Sequence, residues 1–90
     1  VENTNYNYLQ NLIKMDVATY NSVGWFLMGK DSEMSQYRYK ETDWILEVCE
    51  NGLFIIFNNN EKEPNHSNYF KGFLNTTIDL MFIMNALKII

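Results

Sequence analysis

Near the middle of the chain two β-rich runs, Trp44-Ile45-Leu46-Glu47-Val48-Cys49-Glu50 and Leu53-Phe54-Ile55-Ile56-Phe57, flank the dipeptide Asn51-Gly52. Branched and aromatic side chains suit a pleated, half-buried surface. Asn-Gly is the favoured pair for a two-residue hairpin turn, in which both central residues need positive φ. Such a turn fixes register. Glu50 is expected opposite Leu53, Val48 opposite Ile55 and Leu46 opposite Phe57, with Cys49 opposite Phe54, Glu47 opposite Ile56 and Ile45 opposite Asn58 on the other side. Side chains alternate along a strand, so Trp44, Leu46, Val48, Leu53, Ile55 and Phe57 make the expected core face. Ile45, Glu47, Cys49, Phe54 and Ile56 then share the second face, which in a sheet solvated on one side should be polar. It is mostly apolar. Unless a helix covers each face, these five residues are the candidate partner-binding site.

The flanking segments supply helices. From residue 5 to residue 20, Tyr6, Leu9, Leu12, Ile13, Val17 and Tyr20 fall on one arc of roughly 140° at ~100° per residue, after Thr4 as a candidate N-cap. Asp16 lands inside that arc, so either the helix ends near Met15 or Asp16 sits at the core edge with a hydrogen-bond partner. Residues 23–28 are apolar between glycines and suggest a buried strand. Residues 34–41, with Tyr37 and Tyr39 alternating against Gln36, Arg38 and Lys40, fit an edge strand or a helix capped by Ser32. Residues 58–68 form a polar loop around Pro64, the only proline. Thr76 or Thr77 can cap a final helix reaching about Leu87, apolar nearly all round and therefore expected to be buried on more than one side. The expected architecture is one α+β domain over residues 1–90: an N-terminal helix, an antiparallel sheet of three to four strands with a central Asn-Gly hairpin, and a C-terminal apolar helix.

At 90 residues such a chain buries only about 60–65% of its unfolded surface, yet 47% of its residues are hydrophobic and 16% aromatic. Surplus apolar surface is expected to meet a second copy or another protein. A net charge of −4 with seven Lys and Arg argues against duplex binding, which needs clustered cations, so nucleic acid is not the expected partner. The single cysteine, Cys49, permits no intrachain disulfide and fits a reducing, cytoplasmic setting. No basic-then-apolar leader is evident, and no apolar run reaches the roughly 20 residues of a membrane span, so no membrane partner is expected.

Catalysis needs convergent groups. His66 is the sole histidine and lies in the polar loop. Cys49 sits mid-strand between Glu47 and Glu50, whose charges oppose thiolate formation. One histidine and one cysteine far apart cannot close a zinc site, and neither calcium-loop spacing nor a phosphate-binding glycine loop occurs. No catalytic, cofactor-binding or metal site is expected.

The order helix, three or four strands, helix resembles that of double-stranded RNA-binding domains. The alternation Trp44, Leu46, Val48 is similar to that family's second strand, and Ala86-Leu87 fits the end of its last helix. The family's basic cluster would fall near residues 75–79, where this chain has Asn75, Thr76, Thr77, Ile78 and Asp79. The resemblance therefore implies a protein-interaction version. The expected function is a small non-enzymatic interaction module of the inhibitor, immunity-type or regulatory kind, compatible with a phage, viral or mobile-element source. Three alternatives stand beside it: a degenerate double-stranded-RNA-binding-like domain, a single-stranded nucleic-acid binder stacking bases on Tyr37-Arg38-Tyr39-Lys40, and an enzyme acting through His66.

Overall fold

A computed structural model describes residues 16–60 and 69–90. Asp16 opens the described chain as an N-cap: its Oδ1 accepts from the Thr19 backbone N–H at 2.8 Å and from Thr19 Oγ1 at 2.7 Å. Helix α1 follows, Val17–Ser22. Of the two expected readings of Asp16, a helix ending near Met15 or a bonded residue at the core edge, the structure shows a hydrogen-bonded carboxylate that starts a new helix; residues 5–15 of the expected helix lie outside the described residues. Gly24 then turns the chain at φ +96°. A Cβ there would meet the Tyr39 ring at 2.5 Å, so the close approach of helix and sheet requires glycine.

Five strands follow in chain order: β1 Trp25–Lys30, β2 Met34–Tyr39, β3 Trp44–Cys49, β4 Leu53–Asn58 and β5 Phe70–Phe73. Each pairs antiparallel with the next, giving one sheet in the order β1-β2-β3-β4-β5. The class is α+β, with five strands in place of the three to four expected. The extra strand is the short segment Phe70-Lys71-Gly72-Phe73, and residues 34–39 resolve to strand rather than helix.

The hairpin register differs from the expected one by a single residue. Ile45 pairs with Phe57, Leu46 with Ile56, Glu47 with Ile55 and Val48 with Phe54. The cause lies in the loop, which holds three residues. Gly52 N–H donates to the Cys49 carbonyl at 2.9 Å, Gly52 alone takes positive φ (+94°), and Asn51 does not. This is a turn of type I followed by a glycine bulge. Glu50 cannot pair with Leu53 because its N–H is committed to the Glu33 carbonyl at 2.8 Å, and the Leu53 N–H goes to Asn51 Oδ1 at 3.1 Å.

One residue of slip exchanges the faces of an entire strand. Leu46 and Val48 now share a face with Phe54 and Ile56, and these join Tyr37, Tyr39, Trp25 and Phe70 in the core. That face is covered by α1, through the Tyr20 ring tilted against Tyr37 at 4.5 Å and Phe54 at 6.5 Å, and by α2, Thr77–Ala86. Burial, and secondarily the neighbouring Tyr37 oxygen, raises the Tyr20 phenol above its ordinary range. Thr76 caps α2 by accepting from the Asp79 N–H at 3.1 Å, while Asp79 reaches back to the Asn75 N–H at 3.2 Å. Leu80 and Met84 anchor α2, and Met84 Sδ accepts from Trp25 Nε1 at 3.2 Å. The helix is not buried on several sides. Ile78, Met81 and Phe82 are exposed, Phe82 at 70%, because the sheet lies against only the Leu80–Met84 side.

Candidate functional site

With both described helices on the inner face, the outer face is the informative one. It is laid out in three rows across the strands. One row runs Phe26, Arg38, Ile45, Phe57; the middle row runs Gln36, Glu47, Ile55, Lys71; the third brings together Met34 and Cys49, then Leu53 and Phe73. None of these residues belongs to the core cluster, and no described helix or strand packs over them. Phe73 is 68% exposed and Phe26 49%. Leu53, Ile55 and Phe57 are half-buried, and Ile45 reaches 6% exposure between Arg38 and Phe57.

The five residues expected to share a binding face are therefore split. Ile45, Glu47 and Cys49 lie on the outer face, but Phe54 and Ile56 are core residues at 1% and 0% exposure. Their places are taken by Leu53, Ile55 and Phe57, which sequence reasoning put in the core. The face remains apolar after the exchange because β4 is apolar on both sides, as Leu53-Phe54-Ile55-Ile56-Phe57 makes plain. Phe73 and Lys71 were missed with β5 itself; the alternation Phe70-Lys71-Gly72-Phe73 is the signal that could have found them.

Polar groups on this face are few and placed. Glu47 sits at its centre and accepts from Gln36 Nε2 at 2.8 Å, which holds the carboxylate toward β2. Lys71 stands on β5, on the far side of Ile55. At ordinary strand spacing the Glu47 and Lys71 backbones are about 10 Å apart.

Three other features border this face or lie apart from it. A groove of about 600 Å³ runs along the β1 edge, lined by Phe26, Leu27, Met28, Arg38, Lys40 and Glu41. Asp31, Glu33 and Glu50 gather at the end of the sheet near the hairpin loop. Asp31 is engaged locally: its Oδ1 accepts from the Glu33 and Met34 N–H groups at 2.8 and 2.9 Å, which holds its carboxyl below the usual range. Among the described residues no three His, Cys, Asp or Glu side chains come together to hold a metal ion. The third feature is the exposed side of α2, where Ile78, Met81, Phe82, Asn85 and Ile90 form a shallow apolar patch.

The Tyr37-Arg38-Tyr39-Lys40 segment does not offer stacked rings to a nucleic acid. Tyr37 and Tyr39 point into the core, Tyr39 against Trp25 at 5.3 Å, and only Arg38 and Lys40 face outward. Lys40 Nζ lies 5.2 Å over the Tyr39 ring. His66 lies outside the described residues. Among the described residues no helix is long and apolar enough to cross a membrane. No protein-family model, curated protein or solved structure matches this chain.

Proposed function

We propose that this chain is a small protein-interaction module, of the inhibitor, immunity-type or regulatory kind, that works by docking and performs no catalysis. The observation that carries this reading is the outer face of β3, β4 and β5. The half-buried Cys49, Leu53, Ile55 and Phe57 and the exposed Phe73, with Ile45 buried among them, make it apolar across three adjacent strands, with no described element packed on it. Contiguous apolar surface on a small domain marks a place where another macromolecule sits, since leaving it in water forgoes about 25 cal/mol for each Å². The exposed aromatic side chain on its β5 margin, Phe73, is the kind of anchor that dominates such contacts. The binding site is assigned to Ile45, Glu47, Cys49, Leu53, Ile55, Phe57 and Phe73. A cytoplasmic setting is part of this proposal, and the single unpaired cysteine, Cys49, is compatible with it.

Site-specific photo-crosslinking in the cells that make the protein tests this reading. A crosslinker at Ile55, on the outer face, is expected to trap one discrete protein species. The same group at Asn59, exposed just beyond β4, is expected to trap none. Equal trapping from both positions, or none from Ile55, defeats the proposal.

A further inference from the structure

We infer that the outer face binds a second copy of this chain about a two-fold axis running along β4; this rests on the interaction-module reading and names its partner. Ile55 pairs with Glu47 on one side and with Lys71 on the other, so a negative and a positive charge stand symmetrically about β4 in the same row. A two-fold axis in the interface, parallel to β4, lays β3 of each copy over β5 of the other. Glu47 then meets Lys71 of the second copy, and this happens twice. Ile55, Leu53 and Phe57 meet their own equivalents, while Cys49 faces the exposed Phe73.

Other simple two-fold arrangements fail on charge. An axis along β3 stacks Glu47 on itself. An axis across the strands through the middle row stacks Glu47 on Glu47 and Lys71 on Lys71. Like charges brought together on a desolvated face are strongly unfavourable. The β4 axis alone matches them. It also leaves Gln36 and Arg38, on β2, beyond the overlap. Face-to-face sheets lie ~10 Å apart, within the combined reach of a glutamate and a lysine. An overlap three strands wide is small, so a weak, concentration-dependent pair is expected rather than a permanent one.

The test is sedimentation of the full chain, up to about 1 mM, as wild type, as Glu47→Lys, as Lys71→Glu, and as an equimolar mixture of the two variants. Circular dichroism first establishes that each variant is folded. The wild type is expected to dimerise with concentration. Each variant alone presents like charges at both contacts and should weaken dimerisation by about tenfold or more. The mixture presents two opposite-charge contacts in every mixed pair and should recover wild-type association. A wild type that stays monomeric, or a mixture no better than its components, overturns the inference. A monomeric wild type whose Ile55 crosslinks to a protein of different mass overturns the dimer alone and leaves the docking face standing. Absence of any Ile55 crosslink removes both.

Discussion

Phe54 and Phe57 are three residues apart on the same strand, chemically identical, and on opposite sides of the sheet. Phe54 is 1% exposed, with the Tyr20 ring 6.5 Å away and both helices on its side. Phe57 lies half-buried on the outer face, between Ile45 and the end of β4, with no described element above it. The difference teaches that hydrophobicity alone does not define a core in a domain this small. What defines it is which face the helices cover, and here that is decided by a loop of three residues. The sharpest way to break the comparison is to truncate both rings. Phe54→Ala should cost about 3–5 kcal/mol, the range for emptying a packed aromatic site. Phe57→Ala should cost about 1–2 kcal/mol in the monomer, since it forfeits only lateral contacts. Urea unfolding at low protein concentration measures both. Equal costs would mean that the outer face is core as well, and the docking surface would disappear.

The second test addresses the loop that sets the two faces apart. In a two-residue turn of the Asn-Gly type both residues need positive φ, and alanine is penalised at each. In the structure only Gly52 has positive φ. Gly52→Ala should therefore cost about 1–2 kcal/mol, the left-handed penalty of a residue with a Cβ. Asn51→Ala should cost about 0.5 kcal/mol, the loss of one exposed side-chain hydrogen bond to the Leu53 N–H. Comparable losses at both positions would return the hairpin to the other register and exchange the roles of Phe54 and Phe57.

This explains what could be read in advance and what could not. The α+β class was legible, because β-branched runs and a capped apolar helical segment carry local signals. The register was not. Asn-Gly serves in both two- and three-residue loops, and β4 is apolar on both faces, so its alternation contains no preference for either. The deciding bond joins Glu50 to Glu33, 17 positions earlier, and no local pattern reports it. For the same reason the candidate site was half legible. Ile45, Glu47 and Cys49 lie together on the outer face, whereas Phe54 and Ile56 required knowledge of which β4 residues faced them. β5 was missed because four residues containing Gly72 give too short an alternation to stand out.

The smallest expected effect concerns the inner face alone. Helix α1 has six residues and carries Tyr20 onto Tyr37 and Phe54, so its start matters to the cover of that face. Its cap is the exposed carboxylate of Asp16, whose pKa is lowered from the ordinary value chiefly by the Thr19 hydroxyl and then by the Thr19 backbone N–H. A folded-state pKa below the unfolded one means that the cap stabilises fully above about pH 4, the unfolded value. That contribution is lost as pH falls through the folded value. Asp16→Asn keeps a capping oxygen but removes the titration. Stability of the wild type should thus fall more steeply than that of Asp16→Asn between about pH 5 and pH 2. Amide exchange should show the difference at Tyr20, whose N–H bonds to the Asp16 carbonyl in the first turn of α1. Parallel pH profiles would show that the cap does not support the inner face.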